Sequence, residues 1–182
     1  MSVVIRNLQR TDQDQVQRIV LEGLAERWGK EFDPSYNKDL DDIYGYYIDR
    51  HHATVAVMVE EQRGQHEKQE QQPTIIGCGI LLPLPAEDIY GTWCAEPETI
   101  RANSAGLKLC RMMRLSVSWE YRGRGLAKWM IHYLVEKARE QGFDLILVET
   151  ERLWTSAVQI YKSEGFSVAE ESEENIHYTY RL

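Results

Sequence analysis

The chain of 182 residues predicts an α/β fold, a single domain over 1–182 with a mixed central sheet flanked by helices. Three observations predict it. The run Leu145-Ile146-Leu147-Val148 is apolar on both faces, the pattern of a strand buried inside a sheet beside a parallel neighbour. Leu126, Met130, Leu134 and Ala138 recur every four residues and predict a helix. Ahead of them, Leu107, Leu109, Met113, Leu115 and Val117 alternate and predict a strand. Strand, helix and strand in that order form one right-handed crossover unit.

The remaining elements follow in order. Val3 to Leu8 alternates weakly and reads as a first strand. Thr11 or Asp12 then caps a helix whose Val16, Ile19, Val20, Gly23, Leu24 and Trp28 share one face, with Gly29 as its stop. Leu40, Ile43, Tyr44, Tyr47 and Ile48 suggest a second, shorter helix, whose aromatic face is either core packing or a pocket wall. His51 and His52 are adjacent, so they point apart and read as a solvated connector. Thr54 to Glu60 alternates, with Val55, Val57 and Val59 on one side and Ala56 and Met58 on the other. Thr74 to Leu82 resumes as a strand, expected to pair antiparallel with it.

Between these two strands, residues 61–73 are almost wholly polar and read as a flexible loop. Residues 84–104 carry Tyr90, Trp93 and Pro97 with no clean period. They read as an irregular insertion, either a lid or pocket wall or a plain loop. After the crossover unit, Thr155 is expected to cap a helix through Ala157, Val158, Ile160 and Tyr161, ended by Gly165. Phe166–Ala169 and Ile176–Arg181 read as a closing strand pair.

Composition excludes several classes. With 43% hydrophobic and 27% charged residues, the chain resembles an ordinary globular protein. No apolar run of about 18 residues predicts a membrane span. Met1–Arg6 lacks the apolar core of a signal peptide, so a cytoplasmic location is expected. Cys78, Cys94 and Cys110 are odd in number and widely spaced, which argues against a disulfide framework and against a zinc site. A net charge of −8 disfavours nucleic-acid binding, which needs a broad basic surface.

The basic cluster Arg122, Arg124 and Lys128 is local. It crowds the start of a helix, where unpaired N–H groups and the dipole already disfavour cations. An anion bound at the turn resolves the conflict, and phosphate is the usual one. No P-loop G-x-x-x-x-G-K-[ST] exists. Gly123 and Gly125 begin a dinucleotide fingerprint, but Lys128 holds the place of its third glycine. Arg122-x-x-Gly125-x-Ala127 instead resembles the [Q/R]-x-x-G-x-[G/A] motif of the GNAT N-acetyltransferase superfamily. Downstream, Ala157-Val158-Gln159-Ile160-Tyr161-Lys162-Ser163-Glu164-Gly165-Phe166 resembles that family's A-x-x-x-Y-x-x-x-G-F block. Arg6, Asp12 and the two helices behind them look like the family's opening. The resemblance spans the chain except 61–73 and 84–104.

The resemblance implies an acetyl-CoA-dependent N-acetyltransferase in which acetyl-CoA lies where parallel central strands splay apart. It implies that backbone groups of Leu115, Ser116 and Val117 face the pantetheine arm. The N–H groups of Arg122, Gly123, Arg124, Gly125, Leu126 and Ala127 would hold the pyrophosphate, helped by the Arg122, Arg124 and Lys128 side chains. Tyr161 matches the family's proton donor to the departing thiolate, and also its cofactor-packing position. No metal is implied.

Two departures stand out. Met113 occupies the position where some relatives carry a glutamate that acts as base, which leaves Glu149 as either the candidate base or a surface or structural carboxylate, while Glu120 reads as a solvated carboxylate. Trp154 replaces a frequent asparagine and offers an aromatic wall instead. A noncatalytic acyl-CoA-binding regulatory domain is the rival reading. The acceptor is expected to be a primary amine on a small molecule, amino acid or peptide. Glu96, Glu98 and Glu170–Glu174 suit a cationic one, though acidic surfaces also serve solubility. Relatives often form homodimers.

Overall fold

The computed structural model describes residues 2–61, 73–84, 100 and 103–182. Most of the polar segment 61–73 and of the insertion 84–104, with Cys94, Glu96 and Glu98, lies outside the described residues. The elements are β1 (Ser2–Asn7), α1 (Gln13–Trp28), β2 (Thr54–Glu61), β3 (Thr74–Pro83), β4 (Leu109–Val117), α2 (Leu126–Glu140), β5 (Leu145–Glu151), α3 (Thr155–Ser163), β6 (Ser167–Glu171) and β7 (Asn175–Arg181). Among the described residues the strands form one sheet of order β1-β2-β3-β4-β5-β7-β6. The β4–β5 pair is parallel and the other neighbours are antiparallel. The chain therefore has the mixed α/β architecture that its patterning predicts.

Two cores cover the two faces of this sheet. The period of β2 sends Ala56 and Met58 into the core under α2, and Val55, Val57 and Val59 into the core under α1. Met130, Leu134 and Ala138 of α2 are fully buried, as their four-residue recurrence requires. A Cβ added at Gly79 would lie 2.9 Å from Leu134 Cδ1 and 3.0 Å from Met130 Cγ, so α2 rests closely on β3. Gly79→Leu is expected to cost about 1–3 kcal/mol through overpacking, read as a lower denaturant midpoint at unchanged slope.

Several local expectations need correction. Asp12 makes no side-chain cap on α1. Its buried carboxylate instead accepts from the Arg6 guanidinium at 2.6 and 2.9 Å and from the Gln9 N–H at 2.8 Å, which ties β1 to the entry of α1. Thr155 is the first residue of α3 and Trp154 its N-cap. The segment around Leu40–Ile48 is not an α-helix. Short 3₁₀ turns at Pro34–Tyr36 and Lys38–Leu40 lead into a π-helical turn over Tyr44–Arg50. Leu40, Ile43 and Tyr47 fill the α1-side core, so this part of the aromatic face is core packing. Of the histidine pair, His52 is exposed, whereas His51 is half-buried and lies edge-on to Tyr46 at 4.9 Å.

The decisive irregularity is in β4. Opposite β3, the register steps from Ile80↔Met113 to Cys78↔Ser116, leaving an extra residue in β4. Arg114 takes that place with φ +53°, a left-handed conformation that costs a non-glycine residue about 1–2 kcal/mol. Cys110 and Met112 face the α2 side and Met113 the α1 side. After the bulge, Leu115 and Val117 are back on the α2 side. The apparent alternation from Leu107 to Val117 thus conceals a change of face. A bulge also bends its strand. β4 pairs with β5 only over Leu109–Arg111 and Leu145–Leu147, and past that point the two strands have no shared ladder. A gap opens between their C-terminal halves.

Candidate active site

The gap, the turn that follows β4 and the start of α3 build one site. Strand geometry settles which backbone groups enter the gap. The Ser118 N–H donates to Ile76 O at 2.9 Å, and Ser116 lies opposite Cys78. Backbone groups alternate in direction along a strand. Ser116 and Ser118 therefore spend theirs on β3, while Leu115 and Val117 turn theirs toward β5. Of the three strand residues singled out by the sequence, two present backbone groups to the gap.

Beyond β4, a 3₁₀ turn at Trp119–Tyr121 leads into Arg122–Gly125 and then α2. Gly123 and Gly125 have φ +74° and +76°, so only glycine adopts this path without strain. An added Cβ at either would meet nothing within 4 Å. The N–H groups of Gly123, Gly125, Leu126, Ala127 and Lys128 have no acceptor among the described residues. A row of such donors at the positive end of a helix is a cradle for an anion.

The basic side chains around the turn are engaged by protein. Arg122 donates to Val117 O at 3.0 Å and to Glu26 at 2.6 Å. Arg124 donates to Glu120 O at 2.9 Å and lies over the Tyr121 ring. Lys128 meets Ser163 Oγ at 3.0 Å and Glu164 at 2.7 Å. The Glu164 carboxyl is held below its ordinary range chiefly by the hydrogen bond from Lys128, with help from His132. Internal carboxylates and carbonyls thus relieve part of the crowding of cations at this helix start.

Tyr161 is buried, 6% exposed, in the same apolar cluster as Leu115, Val117 and Leu126. Its ring stands edge-on to Phe166 at 5.3 Å. No hydrogen bond engages its hydroxyl among the described residues, and burial pushes the phenol up to about 12.

Glu149 sits on the opposite face of β5, in phase with Leu145 and Leu147. Its carboxylate lies 3.4 Å from the buried Arg111 guanidinium. The structure therefore brings Tyr161, the turn and Leu115–Val117 together, and sets Glu149 across the gap in an ion pair. Glu120 is exposed and accepts from Ser118 Oγ at 3.2 Å.

Two further groups border the gap. At the end of α1, Trp28 packs edge-on to Trp154 at 6.0 Å and the Arg27 guanidinium lies 4.5 Å over the Trp154 ring. At the bulge, Arg114 forms a two-pronged pair with Asp39 at 2.8 and 3.0 Å and reaches Asn37 at 2.9 Å. The Tyr47 hydroxyl donates to the same Asp39 at 2.5 Å. Arg111 and Arg114 interrupt an apolar strand, which was the available signal for buried partners. Nothing local identified Asp39, Asn37 and Arg27 as those near the gap. A cavity of about 660 Å³ is lined by Ser104, Glu164, Thr179 and Arg181, and of these only Glu164 reaches the turn, through Lys128.

Comparison with known proteins decides the family. A family model described as an acetyltransferase (GNAT) domain matches residues 68–168, more than half of the chain. The chain belongs to the GNAT acetyltransferase family. It is 32% identical over 99 residues to mouse N-acetyltransferase 8, an alignment covering 54% of this chain and 43% of that protein. Rat N-acetyltransferase 8 aligns at 34% identity over 96 residues, 53% of this chain and 42% of the relative. The GNAT chain thus spans about two fifths of these curated relatives. Among solved structures, a GNAT acetyltransferase from Staphylococcus aureus superposes with TM-score 0.72 at 16% identity, covering 100% of this chain and 99% of that one. The PaiA N-acetyltransferase of Thermoplasma acidophilum, in complex with coenzyme A, superposes with TM-score 0.69 at 14% identity, covering 100% of each chain. These structures share the GNAT fold. Among the described residues no helix is long and apolar enough to cross a membrane.

Proposed function

We propose that the protein is an acetyl-CoA-dependent N-acetyltransferase that moves acetyl directly to a primary amine while both substrates are bound. The observation that carries this reading is the set of N–H groups of Gly123, Gly125, Leu126, Ala127 and Lys128 without an acceptor among the described residues, opening onto the gap that holds Leu115 and Val117. The cradle fits the pyrophosphate of CoA, and the coenzyme A complex of the Thermoplasma enzyme on the same fold supports it. The Arg122, Arg124 and Lys128 side chains add positive charge around that cradle.

Amides of Leu115 and Val117 face the gap and suit a thioester carbonyl, where a fixed N–H stabilises developing negative charge. Tyr161 donates its proton to the departing thiolate. The amine must arrive neutral, although a lysine-type amine has a pKa of about 10.4. Glu149 is the carboxylate on the acceptor side of the sheet that takes its proton, at the expense of its pair with Arg111. The acceptor is a small amine, an amino acid or a peptide.

Release of free CoA thiol from acetyl-CoA across a broad amine panel tests the reading. Amine-dependent release is expected. CoA binding with no turnover above hydrolysis would establish the noncatalytic acyl-CoA-binding domain instead. Gly125→Trp is expected to abolish CoA binding by calorimetry while the circular dichroism spectrum persists. Retained binding would remove the pyrophosphate from this turn.

A further inference from the structure

Most of the cations that border the gap meet a carboxylate among the described residues. Arg111 meets Glu149, Arg114 meets Asp39, and Arg122 meets Glu26. Lys128 meets Glu164. Arg27 makes no hydrogen bond and no ion pair with any of the described residues, and the nearby Glu26 carboxylate is engaged by Arg122. The Arg27 guanidinium is nevertheless held in place. It sits over Trp154 in a cation–π contact at 4.5 Å, and Trp154 is itself braced by Trp28 at 6.0 Å. An arginine stacked on an aromatic ring loses little freedom when its fork meets a planar anion.

Position narrows the anion. Arg27 is close enough to interact electrostatically with the Tyr161 phenol, the group at the sulfur end of the proposed cofactor path. Arg27 keeps a solvent-exposed flank, so a ligand can reach it. Burial of its head lowers its pKa, with the Arg122 charge acting in the same direction and the Tyr161 phenol and Glu26 acting against it. With its fork free of any acceptor among the described residues and its head partly desolvated, an anion placed on it gains more than one placed on a solvated lysine. The pyrophosphate has its own cradle at Gly123–Lys128, at the other end of the pantetheine arm.

We infer that Arg27, presented by Trp154, binds the carboxylate of the acceptor, so that the preferred acceptors are amines bearing a carboxylate group close to the amine. The guanidinium fork takes both carboxylate oxygens, and this contact holds the neutral amine beside the thioester. The acceptor preference is thereby opposite to the one expected from the acidic surface. This inference rests on the proposed N-acetyltransferase reading and names the substrate class for its site.

The test pairs free amino acids with their own amides, for example L-phenylalanine against L-phenylalaninamide, in two measurements. In thiol release from acetyl-CoA, the acid is expected to exceed the amide in kcat/KM by about 10- to 100-fold, as a charge-assisted hydrogen bond implies. Arg27→Gln should bring that ratio toward one through KM for the acid, and Arg27→Lys should retain part of it. In calorimetry with CoA present, the acid should bind the native protein and lose affinity in Arg27→Gln. Equal use of acid and amide, or a loss in Arg27→Gln that falls on CoA affinity instead, overturns the inference while leaving the transferase reading intact. Binding of the acid without any turnover sustains Arg27 as a carboxylate site and sinks the transferase reading. Absence of both binding and turnover of the acid overturns the inference.

Discussion

Tyr161→Phe is expected to lower kcat by about a hundredfold or more, the range for loss of a positioned proton donor, with CoA affinity and stability nearly unchanged. The substitution removes one oxygen that makes no hydrogen bond among the described residues, so no buried partner is left stranded. The ring keeps its contacts with Phe166 and Tyr178. Burial holds the phenol near 12, above its ordinary value of about 10. The sign follows directly: the hydroxyl stays protonated, and able to donate, through the whole range in which amines lose their protons. Thiol release by the native protein should therefore rise with pH as the amine deprotonates and show no fall near pH 10 from this residue. A descending limb there that vanishes in Tyr161→Phe would give the phenol a different role. An unchanged kcat would reduce Tyr161 to a packing residue.

The second large effect is on the bulge. Asp39 is 1% exposed and accepts from both prongs of Arg114 and from Tyr47. Asp39→Ala leaves the Arg114 charge without its carboxylate in a site nearly closed to water, at a cost of about 3–5 kcal/mol. It also removes what holds Arg114 at φ +53°, so Leu115 and Val117 should lose their aim into the gap. Urea unfolding should show the stability loss, and thiol release should fall as well. The double variant Asp39→Leu with Arg114→Met should recover much of the stability, because an apolar pair of similar volume replaces a buried ion pair well. Its activity should remain low, since the side chain that pulls Arg114 toward the α1 face is gone. Recovery of both together would separate the bulge from catalysis.

Parts of this were legible in the chain for definite reasons. The two faces of β2 and the buried run of β5 write burial directly into a period of two or into its absence. Gly123 and Gly125 mark the turn because their backbone angles exclude other residues. The Ala157–Phe166 block places Tyr161 because that spacing is fixed by one short helix and its glycine stop. The bulge was hidden because Leu115 and Val117 continue an odd-numbered apolar series through it. Periodicity cannot report a single inserted residue when both faces of the strand are buried. The π-helical turn was likewise hidden, since Leu40, Ile43 and Tyr47 suit an α-helical face as well.

The sequence by itself determined the family resemblance, the strand–turn–helix with its two glycines, and the placing of Tyr161 on the helix after β5. These features depend on residues close together in the chain, where backbone geometry and spacing act locally. Tertiary structure alone decided how charge is distributed around the gap. It paired Arg114 with Asp39 and Arg111 with Glu149, and it set Arg27 on Trp154 outside any ion pair among the described residues. Each of those relations joins segments from separate elements, and electrostatic pairing depends on distance in space, which no local pattern of residues records.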